Sequence, residues 1–133
     1  FTILIWLAVP QIAPFHLALV FLSSFLIDFD HYLASVKKTG KFGLRDSFEY
    51  HRVNGIKERR EIARGIRRKS DFHVFHTVEF HALIGLLSLF LFPFFYILVG
   101  MVFHSFLDVI HMTRNGALHR REFFFFNWLA RKI

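Results

Sequence analysis

The chain has 133 residues, of which 54% are hydrophobic and 19% aromatic, and its formal net charge is +7. Its mean hydropathy of +0.40 is typical of a small integral membrane protein. The absence of cysteine excludes disulfides and thiolate metal ligands, so any bound metal ion must be held by imidazole nitrogen and carboxylate oxygen. The composition therefore predicts an all-α membrane protein, a helical bundle that forms a single domain over residues 1–133.

The apolar stretches predict about four transmembrane helices. Pro10 and Pro14 bracket a turn in the first apolar stretch. Residues 73–112 would span about 60 Å as one helix, against about 30 Å for the hydrocarbon core of a bilayer, so this stretch must fold back. Pro93 is the natural corner, because proline removes a backbone donor and disfavours helix in the residue before it. The predicted helices are approximately residues 1–9, 15–34, 76–91 and 95–112.

Every lysine and arginine lies in residues 37–72 or after residue 113. By the positive-inside rule both basic zones are cytoplasmic. We predict that residues 37–72 form a basic loop, with an amphipathic surface helix at residues 58–68, and that residues 118–133 lie in the membrane interface. Basic residues beside membrane segments indicate contact with anionic lipid head groups, so we expect membrane lipid as the partner and no nucleic acid. A homo-oligomer can complete the packing of so small a bundle.

Three apolar stretches carry acids and histidines at spacings typical of metal ligands. They are Asp28 with Asp30 and His31, His76 with Glu79 and His81, and His104 with Asp108 and His111. An ionisable group inside a membrane costs about 2.5–3.5 kcal/mol on insertion scales, so such groups indicate function. With the basic zones inside, all three motifs lie at cytoplasmic helix ends, and we expect them to meet at one depth. In the third motif the i, i+4, i+7 spacing places the side chains on one helix face.

A single histidine or aspartate on an apolar helix is more often a hydrogen-bonded packing residue than a ligand. Several carboxylates buried together without a cation would have to stay protonated, whereas a divalent metal ion supplies the compensating charge. The joint placement of the three motifs therefore predicts metal binding.

The motifs resemble those of the LexA-regulated, membrane-bound metal-dependent hydrolases of bacteria and archaea. That family has the pattern Asp-x-Asp-His, then His-Arg-Gly-x-x-His-Ser, then Gly-x-x-x-His-x-x-x-Asp. The first is present at residues 28–31 and the third at Gly100, His104 and Asp108, whereas the second keeps only its histidines, His76 and His81. The resemblance implies a helical protein of a bacterial or archaeal cytoplasmic membrane, with a metal site near the cytoplasmic face. A further family histidine would precede the first residue here, where we expect the chain to continue.

We predict one or two divalent ions, zinc or else manganese or iron, bound by the acids and histidines of the motifs. The predicted ligands are Asp28, Asp30, His31, His76, His81, His104 and Asp108, a set that suits two ions better than one. Glu79 is the predicted general base, and His73 and His111 are candidates for contacts to the ligands. A divalent ion activates water, which predicts a hydrolase that acts on an ester or phosphoester of a lipid-like substrate.

The alternative is a metal transporter, sensor or structural membrane protein without hydrolytic activity, because ligands inside a bundle also describe ion pathways. Closed coordination by the protein alone would favour this alternative, and an open coordination position would favour hydrolysis. A third class, the di-iron lipid desaturases, requires histidine boxes that are absent from the chain.

Overall fold

The computed structural model describes all 133 residues and contains helices and no strands, which confirms the predicted all-α class. The seven helices are α1 (Thr2–Ala8), α2 (Pro14–Leu26), α3 (Phe29–Thr39), α4 (Leu44–Ala63), α5 (Val78–Ser88), α6 (Pro93–Arg114) and α7 (Phe125–Ala130). Two short 3-10 turns, Val74–His76 and Leu118–Arg120, precede α5 and α7.

Two helical segments are long and apolar enough to cross a membrane. The first is Pro14–Thr39, 26 residues in which α2 and α3 follow each other with a single turn between them, and the second is α6 with 22 residues. The apolar helix α5 has 11 residues and therefore spans about 16 Å, roughly half of a hydrocarbon core. Two of the four predicted spans therefore reach the required length.

Proline begins both of the long helical segments. Pro14 and Pro93 occupy the first turn of α2 and of α6, where the missing N–H has no helical partner to lose. Pro93 also follows the short connection after α5, so the chain reverses direction just before this proline, as predicted. Gly40 ends α3 with a φ of +72°, the left-handed conformation that glycine adopts without a steric penalty.

The basic zone, predicted as a loop with a helix at residues 58–68, instead contains the 20-residue helix α4, which begins at Leu44. After Gly40 the chain turns back, and the hydroxyl of Tyr32 donates to the carbonyl oxygen of Phe42. The buried hydroxyl of Ser35 on α3 forms a hydrogen bond with that of Ser47 on α4 at 2.8 Å. These tertiary contacts stabilise the first turns of α4, so the helix begins at Leu44 and not at residue 58 as the charge pattern predicted.

The helices bury little apolar surface against one another. Of the 133 residues only 13 are buried, and the buried hydrophobic residues are Val20, Ile27, Ile84 and Met101. Helices α2 and α6 approach closely at Gly100, where an added Cβ would lie 2.4 Å from the carbonyl oxygen of Val20. Large apolar side chains such as Phe21, Leu89 and Phe90 are exposed on the outside of the bundle.

The C-terminal segment, residues 118–133, folds back against α4 and α5. The guanidinium of Arg120 is buried and donates to Glu61 at 2.9 Å and to the hydroxyl of Ser70 at 3.2 Å. Burial acts to raise the pKa of Glu61, but hydrogen bonds from Arg120 and Arg68 outweigh it and hold that pKa below its ordinary value of 4.5. The segment predicted to lie in the membrane interface is thus anchored to the protein by buried charge pairs.

Candidate metal centre

The three motifs converge on one point. The Oδ1 atom of Asp28 lies 3.3 Å from Nε2 of His104 and 3.5 Å from Nε2 of His76. The carboxylate oxygens of Asp108 lie 3.6 Å from the same two nitrogens. We call these four residues, Asp28, His76, His104 and Asp108, the first cluster.

Local structure explains how each member of the first cluster is placed. Asp28 lies in the turn between α2 and α3, and His76 closes the 3-10 turn that precedes α5. Thr77 begins α5, because its hydroxyl accepts a hydrogen bond from the N–H of Phe80 in the way of an N-cap residue. His104 and Asp108 lie one turn apart on α6 and therefore share a face.

Hydrogen bonds to the far side of the rings determine which nitrogens are free. The Nδ1 atom of His104 is 2.7 Å from the carbonyl oxygen of Ser24, which can only accept, so Nδ1 carries the proton. The Nδ1 atom of His76 is 3.3 Å from Oδ2 of Asp30, which in turn accepts the N–H of Phe75. The Nε2 atoms of both histidines are buried and have no hydrogen-bond partner. Each of these nitrogens faces carboxylate oxygens, an arrangement that a divalent cation between them would stabilise.

The nitrogen–oxygen spacing of the first cluster is close to that around a zinc ion. Four ligand atoms arranged tetrahedrally about 2.0–2.1 Å from one ion are about 3.3–3.4 Å apart. The nitrogen–oxygen distances of the first cluster lie between 3.3 and 3.6 Å, and Asp108 faces His76 through Oδ2 and His104 through Oδ1. Imidazole nitrogen and carboxylate oxygen are also ligands that zinc accepts. The buried histidines and aspartates can therefore hold a metal ion.

A second group of ligand atoms adjoins the first. Asp30 Oδ1 lies 3.5 Å from Nδ1 of His73, and both atoms are buried without a hydrogen-bond partner. The ring of His31 stacks on that of His73 with centroids 3.7 Å apart. One ligand atom from each of the three residues lies within 4.8 Å of the others. We call Asp30, His31 and His73 the second cluster, and Nε2 of His31 links it to Asp28 at 3.5 Å.

His81, a predicted ligand, lies outside both clusters. Its Nδ1 donates to the carbonyl oxygen of Thr77 at 2.9 Å, and its Nε2 is 3.0 Å from the hydroxyl of Ser105. The reason is the start of α5 at Val78, because His76 precedes the helix whereas His81 lies one turn inside it. Both ring nitrogens of His81 thus have partners within the protein.

Glu79 and His111 also lie outside the clusters. The carboxylate of Glu79 accepts the backbone N–H groups of Phe125 at 2.9 Å and Phe126 at 3.4 Å, and so caps the start of α7. His111 is exposed, and its ring nitrogen is 3.2 Å from the side-chain amide of Asn115. Glu79 thus anchors the start of α7, and its role as the general base stays a prediction.

The structure adds two residues to the site. His73 was expected to contact ligands and instead lies among the candidate ligands of the second cluster. The sequence signal for its position is the i, i+3 spacing between His73 and His76. Arg121 donates to Oδ2 of Asp108 at 2.7 Å. No local sequence pattern indicates the contact between Arg121 and Asp108, because it forms only when the C-terminal segment returns to α6.

No protein-family model, curated protein or solved structure matches the chain. The resemblance to the LexA-regulated hydrolases therefore stays a prediction from the motifs. The proposed function rests on the geometry of the two clusters.

Proposed function

We propose that the protein is a membrane-embedded, metal-dependent hydrolase that acts on an ester or phosphoester of a lipid-like substrate. The observation that carries the proposal is the pair of buried, unpartnered Nε2 atoms of His76 and His104, which face the carboxylates of Asp28 and Asp108. Such a set of lone pairs and negative charges is stabilised by a divalent cation.

The membrane location is supported by the surface of the bundle and by its charges. Two helical segments are long and apolar enough to span a bilayer, and large apolar side chains of the bundle face outward. Lysine and arginine are confined to residues 37–72 and to the chain after residue 113, which favours a cytoplasmic location for both. The clusters then lie near the cytoplasmic face of the membrane.

We assign one ion to each cluster, with zinc as the first choice and manganese or iron as alternatives. When bound at the first cluster, such an ion lowers the pKa of a coordinated water and so supplies a nucleophile near neutral pH. The protein's own residues orient the ligands. The carbonyl of Ser24 holds His104, the carboxylate of Asp30 holds His76, and the guanidinium of Arg121 holds Asp108.

Exposure distinguishes the open side of the centre from its closed side. The side chain of Asp28 is 50% exposed and that of Asp108 is 28% exposed, whereas that of His76 is 2% exposed. A substrate therefore reaches the first cluster from the side of the aspartates. The buried histidines form the side from which water is excluded.

The second candidate function is metal binding without hydrolysis, in a transporter, a sensor or a structural site. The observation that favours this function is that the first cluster contains four candidate protein ligands. Structural zinc sites are closed by four protein ligands, whereas catalytic sites keep one coordination position open. The two functions differ in whether the metal-loaded protein turns over a substrate.

The deciding experiment measures metal content and hydrolysis on the same purified protein. Elemental analysis in detergent is expected to find about two divalent ions per chain. The double variant His104→Ala, Asp108→Ala should lose the ion of the first cluster. The control is His16→Ala, because His16 stacks on Tyr96 at 4.2 Å near the start of α2 and belongs to neither cluster.

The same samples are then assayed with bis(p-nitrophenyl) phosphate. Hydrolysis by the wild type and by His16→Ala, but not by the double variant, supports the hydrolase. Bound metal without turnover of ester or phosphoester substrates supports the second candidate. If the wild type contained no metal, the clusters would be hydrogen-bonded polar groups, and both candidate functions would be overturned.

A further inference from the structure

Two cavities of opposite character meet at the clusters. A polar cavity of about 320 Å³ lies among α4, α6 and the C-terminal segment, and is lined by polar residues that include His31, His73, Arg120 and Arg121. A second cavity of about 830 Å³ lies between α3 and α4 at the end of α2. Its apolar lining is Phe25, Leu26, Phe29, Tyr32, Leu44 and Phe48.

The two cavities share a wall that belongs to the metal centre. His31 and His51 line both of them, and Nε2 of His51 donates to the carbonyl oxygen of His31 at 3.0 Å. Asp28 of the first cluster lines the apolar cavity. A molecule that filled both cavities would therefore pass directly over the ligands of the two clusters.

We propose that the substrate is an alkyl phosphate amphiphile, whose hydrocarbon chain occupies the apolar cavity and whose phosphate lies at the clusters beside the polar cavity. The assignment of this molecule as a substrate rests on the proposed function. Its binding in the two cavities is supported separately, by the residues that line them.

The apolar cavity suits a hydrocarbon chain. Phe25, Phe29 and Phe48 present large exposed apolar surfaces there, with Phe48 exposed by 75%. Where this surface faces water, covering it with a hydrocarbon chain increases affinity by about fourfold for each methylene that is buried. A third cavity, of about 330 Å³, is lined by apolar residues such as Leu19, Ile84 and Met101 and by no cluster residue. A lipid tail bound there would have no metal ligand beside its phosphate.

The polar cavity suits a phosphate. Arg120 lines it, is 2% exposed and has an Nη1 atom without a hydrogen-bond partner. Phosphate oxygens form strong charge-assisted hydrogen bonds with such guanidinium groups. The acids that line the cavity already have partners, because Glu58 accepts from Arg120 and Ser70, and Asp71 from Tyr50. Among the guanidinium nitrogens of Arg120, Nη1 therefore remains available to an anion.

The test uses monododecyl phosphate that carries a diazirine within its alkyl chain, cross-linked to the full chain in detergent and mapped by peptide mass spectrometry. We expect labelling at the end of α2 and in the first half of α4. Excess dodecyl phosphate should abolish it, whereas dodecanol and inorganic phosphate should each compete poorly. Equal competition by dodecanol, or equal labelling of residues 89–92 at the far end of the bundle, would show nonspecific contact with apolar surface and overturn the proposal.

A matched pair of variants tests the apolar cavity. Phe48 is exposed by 75% and lines it, whereas Phe42 is exposed by 77% and does not. We expect Phe48→Asp to reduce labelling by about tenfold, which corresponds to the burial of roughly two methylenes, and Phe42→Asp to leave it unchanged. Metal content equal to that of the wild type in both variants shows that the centre is intact. Equal labelling of the two variants would overturn the proposal.

The outcomes separate this proposal from the proposed function. If the wild type hydrolyses bis(p-nitrophenyl) phosphate but its labelling does not depend on Phe48, the hydrolase stands and the cavity assignment is wrong. If labelling depends on Phe48 but no ester or phosphoester is hydrolysed, the amphiphile site stands and the hydrolase is wrong.

Discussion

Gly100 and His104 act together at the contact between α6 and α2. Gly100 lets α6 approach so closely that an added Cβ would lie 2.1 Å from the hydroxyl oxygen of Ser23. One turn further along α6, Nδ1 of His104 reaches the carbonyl oxygen of Ser24 at 2.7 Å. The absence of a side chain at one position thus allows the hydrogen bond that orients the metal ligand at the other.

Gly100→Ala is therefore expected to separate α6 from α2 and to displace His104. Overpacking of this kind costs about 1–3 kcal/mol of stability. We expect a lower Tm in detergent and a loss of the ion of the first cluster, measured by thermal unfolding and elemental analysis. The control is Gly85→Ala on α5, where an added Cβ would meet only Leu98 at an ordinary 3.7 Å. Equal effects of the two substitutions would contradict the role of Gly100.

His73 and His81 are expected to differ in their effect on bound metal. His73 Nδ1 is buried without a partner beside Asp30, whereas both ring nitrogens of His81 have hydrogen-bond partners. We expect His73→Ala to lose the ion of the second cluster and His81→Ala to keep both ions. Elemental analysis of the two variants beside the wild type measures this. If His81→Ala lost metal and His73→Ala did not, His81 and not His73 would be a metal ligand.

Glu79→Ala is expected to release α7. The Glu79 carboxylate accepts the N–H groups of Phe125 and Phe126, and loss of a cap of this kind costs about 1 kcal/mol. Limited proteolysis should cut residues 118–133 faster in this variant, and the metal content should not change. Glu49→Ala, which removes an exposed carboxylate paired with Arg52, serves as the control. If Glu79→Ala abolished hydrolysis while the C-terminal segment stayed protected, the result would contradict a purely anchoring role and support Glu79 as the general base.

The anchoring of the C-terminal segment should weaken in acid. The pKa of Glu61 is lower in the folded protein than its ordinary value of 4.5, so its contribution is fully present above that pH and is lost as the pH falls through the folded value. Hydrogen exchange of residues 118–121, corrected for the intrinsic rate, should therefore rise below about pH 4.5. In Glu61→Gln this exchange should already be raised at neutral pH and depend less on pH. Glu49→Gln should behave like the wild type.

Local patterns predicted what depends on neighbours in the chain. The reversal before Pro93 follows from the chemistry of proline, and the shared face of His104 and Asp108 follows from the period of the helix. The same reasoning was less informative around α5. His76 and His81 are five residues apart, and their fates depend on the cap at Thr77, which places one before the helix and the other inside it.

The sequence by itself determined the all-α class, the separation of basic from apolar zones and the choice of imidazole and carboxylate as ligands, whereas only two of its four predicted spans have the length to cross a membrane. These properties follow from composition and from local periodicity. Only the tertiary structure decided that His73 rather than His81 joins the clusters, that Arg121 holds Asp108, and that polar and apolar cavities meet at His31. These relationships join residues distant in the chain, whose approach is set by the packing of α6 on α2 and by the return of the C-terminal segment.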